Sequence, residues 1–192
     1  MDVALSILAG LGLSAACGFR VFVPIFAASL ASMVGLYTPS PDFAWMASPV
    51  AVFAFGSATL FEIAAYYIPY VDHLFDIVAT PAAVLAGILI AAAEFGEMNP
   101  LLKWTLATIA GGSIAGAIQL GTVALRGLSL GSTAGATNFI VSTLEIFGAV
   151  LMSALAILLP VVGVAAIVFL LAASLWTISR RRKLPPPKPS QQ

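Results

Sequence analysis

The sequence predicts an all-α protein, a polytopic bundle of about six transmembrane helices whose first helix is kinked or broken. Hydrophobic residues make up 61% of the 192 residues and charged residues only 8%. A soluble domain is about half apolar and about a quarter charged. The apolar residues fall into long runs that proline, glycine or polar residues separate. The formal net charge is +0, so we expect no nucleic-acid partner.

The first apolar run, residues 3–36, is too long for one straight span of about 20 residues and short for two. The segment "CGFRVFVP" interrupts it with Gly18, Arg20 and Pro24, which predicts the kink or break. If the helix were regular, Arg20 would lie roughly 26 Å from its start, near the outer face and beyond the reach of Glu62. A break at Gly18 would change that position.

Each of the other runs is long enough for one span of about 20 residues. They are residues 48–68, 74–93, 101–125, 138–158 and 161–179. Only "PVVG" separates the last two. Pro160 and Gly163 suit a tight turn there, with one long kinked helix as the alternative.

The C-terminal segment "RRRKLPPPKPSQQ" predicts the orientation. It carries five of the chain's eight basic residues, and basic residues beside spans stay cytoplasmic. Six spans would then place both termini in the cytoplasm, in a multi-pass protein of the cell inner membrane. Residues 1–179 form the predicted transmembrane domain, and 180–192 a proline-rich arm without a packed core. We expect the arm to contact anionic lipid head groups, with a partner-binding proline motif as the alternative.

Polar residues recur at helical spacing and mark the faces that meet other helices. Glu62 shares a face with Thr59 and Tyr66, whose hydroxyls could hydrogen-bond it. "GGSIAG" matches GxxxG and predicts close helix contact. The candidate substrate-binding residues are Glu62, Glu145, Gln119, Asn138, Arg126, Arg20, Asp72 and Asp76.

The two intramembrane glutamates are functional candidates, because a charged residue at mid-span costs about 2.5–3.5 kcal/mol. Counted along their spans, Glu62 and Glu145 both fall in the inner half of the bilayer. The alternative is a structural ion pair or hydrogen bond that fixes helix contacts. For Asp72 and Asp76 the alternative is a solvated, acidic helix start. Arg126 is expected to pair with Asp76 or Glu145.

The sequence favours neither an enzyme nor a metalloprotein. Asp72, His73 and Asp76 could converge on one helix face, but there is no second histidine and Cys17 is distant. The chain has no HExxH, G-x-S-x-G or P-loop pattern. We therefore expect no catalysis, no metal and no cofactor.

Three phrases, "SAACGFRVFVP", "EIAAYYIPYVDHLFDIVATPAAVLAG" and "PLLKWTLATIAGG", give the chain a family resemblance. The chain resembles, over roughly residues 2–178, a bacterial family of small membrane proteins catalogued as domain of unknown function 4126. The resemblance implies a multi-helix inner-membrane protein and implies no activity.

The polar faces carry the functional hypothesis. We expect a transporter or channel-like protein for a small molecule or ion, with an inward-facing polar cavity. The competing class is a non-transporting membrane scaffold or assembly partner whose polar residues only hold helices together.

Overall fold

The structure, a computed structural model, describes residues 3–68, 71–96, 98–133 and 138–182, and these residues form helices and short connections without a strand. Eight α-helices occur in this part of the chain, together with a 3₁₀ helix, Pro41–Ala47, and a π-helical turn, Ala107–Gly112. The α-helices are α1 Val3–Cys17, α2 Phe22–Met33, α3 Pro49–Tyr66, α4 Val71–Glu94, α5 Pro100–Leu106, α6 Ser113–Thr133, α7 Asn138–Leu158 and α8 Pro160–Arg182.

Four described segments are long and apolar enough to cross a membrane, which indicates a multi-pass membrane protein. They are Pro49–Tyr66, Phe75–Glu94, Pro100–Ser129 and Asn138–Leu158. The third of them joins α5, the π-helical turn and α6 into one continuous helical segment. α8 runs over 23 residues and has Pro160–Leu170 as its described apolar part. Helix α8 also continues to Arg182, beyond the predicted domain boundary at residue 179.

A capping side chain followed by proline marks the start of two of these helices. The Ser48 hydroxyl accepts a hydrogen bond from the Ala51 amide at the start of α3, and Asn99 Oδ1 accepts one from Leu101 at the start of α5. Proline follows each of these two residues and occupies the first helical position. There the absent N–H of proline costs no intrahelical bond.

The first apolar run forms two helices that reverse direction inside the bundle. Helix α1 ends at Cys17 and α2 begins at Phe22. At 15 and 12 residues, each is shorter than the about 20 residues that a crossing needs. Residues 18–21 form the connection, which we call the hairpin tip. Pro24 lies in the first turn of α2, where proline is tolerated.

Contacts with α4 and α7 show which way α1 runs. The Ser14 hydroxyl donates to the Gly87 carbonyl at 2.8 Å, and a Cβ at Gly10 would lie 2.8 Å from Glu94 Cβ. Residue numbers therefore rise along α1 as they fall along α4, so the two helices are antiparallel. A Cβ at Gly12 would lie 2.6 Å from Ala156 Cβ, which places the start of α1 beside the end of α7.

Helix α2 leads the chain back to the end at which α1 began. The Phe22 amide bonds to Glu62 near the end of α3, and the Ser29 hydroxyl bonds to the Met46 carbonyl just before α3 begins. Farther along, the Ser40 amide donates to the Ala93 carbonyl. Helices α1 and α2 thus enter and leave the bundle by the end where α4 finishes.

Glycines allow α4 and the segment through α6 to approach closely. A Cβ at Gly111 would lie 2.6 Å from the Gly87 carbonyl oxygen, and one at Gly112 would lie 2.9 Å from Ile88 Cγ1. One at Gly116 would lie 3.1 Å from Val84 Cγ2. The close contact that "GGSIAG" predicted is therefore confirmed.

The arrangement does not agree with six spans and both termini on one side. Helix α8 runs antiparallel to α7, since Gly163 lies against Ala156, and therefore runs in the same direction as α1. The start of α1 and the end of α8 consequently lie at opposite ends of the bundle. The discrepancy arises because α1 and α2 form a hairpin that returns to the end of the bundle at which it began.

Reporters that detect the side of the membrane test this topology. We expect a reporter ahead of Met1 and one inserted in residues 41–47 to lie on the same side, and one after Gln192 to lie on the opposite side. The physical reason is that α1 and α2 return to their starting end. An insertion in residues 95–99 is the control, because it should agree with the 41–47 reporter. A Met1 reporter on the Gln192 side would show that the first apolar run crosses the membrane.

Candidate functional site

The hairpin tip carries Arg20 into the middle of the bundle. Arg20 is 1% exposed, and its Nη2 lies 3.1 Å from the Ser142 carbonyl oxygen and 3.1 Å from Glu145 Oε2. A Cβ at Gly18 would lie 2.5 Å from the Ala115 carbonyl oxygen, so only glycine lets the tip approach α6 this closely. The break at Gly18 therefore determines where Arg20 lies, and the depth estimated for a regular helix is wrong.

The carboxylate of Glu62 caps the N-terminus of α2. Its Oε1 accepts a hydrogen bond from the Val21 amide at 2.7 Å, and its Oε2 accepts one from the Phe22 amide at 3.0 Å. The first amides of a helix have no intrahelical acceptor, and a carboxylate also interacts favourably with that end of the helix. Glu62 is 4% exposed, which confirms that it faces the protein interior.

The expected hydroxyl partners of Glu62 have other contacts. The Thr59 hydroxyl donates to the Phe55 carbonyl one turn earlier in α3. The Tyr66 ring contacts the two buried guanidinium groups instead, with Cζ of Arg20 3.8 Å and Cζ of Arg126 4.1 Å from its centroid. Such contacts are attractive because the face of an aromatic ring carries partial negative charge. The backbone amides of α2 satisfy Glu62 because the hairpin brings them there.

Arg126 joins three helices through ion pairs. Its Nη1 pairs with Asp76 of α4, and its Nε and Nη2 pair with the two oxygens of Glu145 of α7. The pairing predicted for Arg126 is confirmed, and both proposed acids take part. Glu145 Oε2 also contacts Arg20, so one carboxylate links the two guanidinium groups.

We call Arg20, Glu62, Asp76, Arg126 and Glu145, with the Tyr66 ring, the central cluster. Its two guanidinium groups and three carboxylates have a formal sum of −1 when all are ionised. Ionised groups inside a bundle are tolerated when they are paired and hydrogen-bonded. The Asp76 side chain is 13% exposed, whereas those of Arg126 and Glu145 are 2% and 5% exposed. Of these three side chains, that of Asp76 is therefore the most exposed.

The other predicted site residues divide into two groups. Gln119 and Asn138 are buried at 2% and 8% exposure. Asn138 begins α7 on the face that carries Glu145, and Gln119 lies on the face of α6 that carries Arg126. The side chain of Asp72 lies outside the described residues, so its predicted role stays a prediction.

Two members of the site were not among the predicted binding residues. Tyr66 follows Glu62 by four positions, and Ser142 precedes Glu145 by three. Helical spacing placed both on the polar faces. Helical spacing could not show that Tyr66 contacts two guanidinium groups, because one of them comes from the hairpin tip.

A second polar group lies at the end where the hairpin enters. Lys103 Nζ pairs with Asp42 Oδ2 at 2.9 Å, and the Asp42 side chain is 78% exposed. Glu94, the last residue of α4, is 4% exposed and lies at the same end of the bundle. Within the described residues, no three His, Cys, Asp or Glu side chains group as metal ligands.

The fold and the cluster define a class: a multi-pass helical membrane protein with a helical hairpin whose tip carries a buried arginine. The chain matches the family model described as Domain of unknown function (DUF4126) over residues 7–180 and belongs to that family. No curated protein and no solved structure matches the chain.

Removing a cluster cation should destabilise the protein strongly. We expect Arg126→Gln to lower the free energy of unfolding by about 3–5 kcal/mol, because Asp76 and Glu145 each lose an ion pair inside the bundle. The matched control is Asp42→Asn, in which the pair lost is largely solvated and worth about 0–1 kcal/mol. Denaturant titration in detergent micelles measures both. A loss for Arg126→Gln no larger than the loss for the control would contradict the structural role of the ion pairs.

Proposed function

We propose that the protein is a transporter or channel-like protein that moves a small molecule or ion across the inner membrane, and that the central cluster is its substrate site. One observation carries the proposal: the hairpin tip ends inside the bundle and brings Arg20 against Glu145 and Tyr66. Ionisable groups within membrane bundles commonly mark the paths of substrates and ions.

The hairpin supports this assignment on general physical grounds. Non-helical backbone at membrane depth is tolerated only where protein buries it or where it lines an aqueous space. Secondary transporters commonly build their sites from discontinuous helices near the bilayer midplane, with the free ends of half-helices facing charged groups. Here the start of α2 faces the carboxylate of Glu62.

Arg126 is suited to act as an inner gate. It connects Asp76, the most exposed carboxylate of the cluster, with Glu145, which is 5% exposed. When Arg126 exchanges one of these partners for a substrate group, access to Arg20 from the Asp76 end changes. The gate therefore needs only side-chain rearrangement of an existing ion-pair network.

The orientation follows from the basic segment at the end of α8. Arg180, Arg181 and Arg182 close that helix, and basic residues beside a span favour the cytoplasmic side. Asp76 then lies toward the cytoplasm, and the hairpin enters from outside. The protein has five crossing helices in this proposal, and the basic C-terminal arm contacts anionic lipid head groups.

A scaffold or assembly role is the second candidate, and one observation favours it. Both guanidinium groups are almost fully buried and paired, at 1% exposure for Arg20 and 2% for Arg126. Closed ion pairs of this kind can serve to specify one arrangement of helices. In that case the cluster determines structure without binding a substrate.

Uptake by membrane vesicles separates the two functions. Vesicles from a strain that lacks the endogenous chain would carry wild type, Glu62→Gln or no protein, and would be incubated with a deproteinised extract of the host cells. Mass spectrometry and dyes for pH and membrane potential record what crosses. We expect wild-type vesicles to move at least one compound or ion that Glu62→Gln vesicles do not, because glutamine removes the charge and replaces one of the two acceptor oxygens by a donor.

Glu94→Gln is the matched control, since it also converts a buried glutamate to its amide but lies outside the central cluster. It should behave as wild type. Identical profiles for wild type and empty vesicles would sink the transport proposal. The scaffold role would then predict that Glu62→Gln is functionally neutral and that Glu62→Leu lowers thermal stability in detergent.

A further inference from the structure

Several buried polar atoms around the hairpin tip have no hydrogen-bond partner among the described residues. They are Nε and Nη1 of Arg20, Nε2 of Gln119 and Oγ of Ser142. These three residues are 1%, 2% and 0% exposed. Buried polar groups are normally satisfied, so a group of such atoms calls for a specific explanation.

The three residues come from elements that meet at the tip. The Ser142 carbonyl accepts a hydrogen bond from Arg20 Nη2, so this part of α7 lies directly beside the guanidinium group. A Cβ at Gly18 would lie 2.5 Å from the Ala115 carbonyl oxygen, and Gln119 follows Ala115 by one helical turn on the same face. Arg126, two turns farther, contacts the same Tyr66 ring as Arg20. Gln119 therefore lies on α6 between Ala115, which lies against Gly18 of the tip, and Arg126, which shares the Tyr66 ring with Arg20.

Hydrogen-bond donors dominate this group of atoms. Arg20 Nε and Nη1 and Gln119 Nε2 can only donate, and the Ser142 hydroxyl can donate or accept. Hydrogen bonds from a guanidinium group are stronger to an anionic oxygen, such as that of a carboxylate, than to a neutral acceptor. The local chemistry therefore favours a ligand with carboxylate-like acceptors.

The charge of the central cluster restricts how such a ligand can enter. The cluster already has a formal sum of −1, so an anion alone would add a second negative charge in a buried place. That addition is unfavourable unless a cation enters too. A proton on one of the three carboxylates offsets the charge of the entering anion, so the formal sum stays at −1.

We propose that Arg20, Gln119 and Ser142 bind the carboxylate of a small organic acid, which enters the bundle together with one proton. The inference rests on the proposed transport function, since it names the substrate class of the same site. The proton comes from solvent and binds Asp76, the most exposed carboxylate of the cluster. No covalent bond of the ligand changes.

The groups around Asp76 are consistent with this role. Arg126 of α6 pairs with it directly, while Tyr66 of α3 and Glu145 of α7 are in electrostatic range. Arg20 contacts the same Tyr66 ring as Arg126. When Asp76 takes the proton, Arg126 keeps its pair with Glu145.

Binding of radiolabelled propionate to the purified full-length chain in detergent tests the inference. We expect saturable binding that propionamide and chloride do not displace. Propionamide lacks the negative charge, and chloride lacks the carboxylate oxygens that would accept hydrogen bonds from the three binding residues. In weakly buffered solution, an indicator dye should record about one proton taken up per propionate bound. Asp76→Asn should bind propionate without that uptake.

Three variants address the binding residues. We expect Arg20→Lys and Gln119→Leu each to weaken propionate binding by about tenfold or more, because a hydrogen bond to a charged group is lost. Ser142→Ala should weaken it less. Ser153→Ala is the matched control on α7, since that buried hydroxyl donates to the Ala149 carbonyl of its own helix. Gel filtration and thermal unfolding verify folding, and Gln119→Leu and Ser142→Ala serve if Arg20→Lys does not fold.

Each other outcome decides the matter. Absence of propionate binding by folded wild type, or equal binding of propionamide, would overturn the substrate class. Unchanged affinity in Gln119→Leu and Ser142→Ala would overturn the site. Propionate binding without flux in vesicles would support the proposed binding site and count against transport. Flux of other compounds without propionate binding would support transport and count against the proposed substrate class.

Discussion

The two hydrogen bonds from the amides of Val21 and Phe22 to Glu62 are the interaction on which the rest of this structure depends. A helix that starts inside a bundle exposes amides that no carbonyl of its own can accept. Away from water, an unsatisfied amide costs free energy comparable to a lost hydrogen bond. The carboxylate of Glu62 supplies both acceptors, so the chain can reverse direction where a continuous helix would be expected.

The position of Arg20 is a direct consequence of that reversal. Once the tip is buried, the guanidinium group needs negative partners within the bundle, and Glu145 provides one. Glu145 also pairs with Arg126, which in turn pairs with Asp76. Removal of either guanidinium group would increase the uncompensated negative charge of the cluster. The cluster therefore ties the hairpin to α4, α6 and α7 as well as to α3.

Sequence reasoning recovered the helix faces and missed the direction of the first helices. Counting along the spans placed Glu62 and Glu145 at similar depth, and helical spacing predicted that Arg126 pairs with Asp76 or Glu145. Both predictions need only the positions of residues within single helices. The hairpin cannot be predicted in this way, because an apolar run of helical residues has the same pattern whether it crosses or turns back. The reversal depends on a contact between residues 21–22 and Glu62, which are about forty positions apart in the chain. The spacing of residues within one segment does not predict such a contact.

Some polar groups at the hairpin tip have hydrogen-bond partners and others have none, and this difference bears on whether the role of the cluster is only structural. A lock between helices is served at least as well by apolar side chains of similar volume, which avoid the cost of burying charge. This cluster instead combines one excess carboxylate with donors of Arg20 and Gln119 that have no acceptor among the described residues. A carboxylate that arrives with a proton supplies acceptors for these donors and leaves the formal sum of the cluster at −1. Unsatisfied donors have no role where ion pairs only hold helices together, and their presence at the hairpin tip is why we favour a site that binds and releases a ligand.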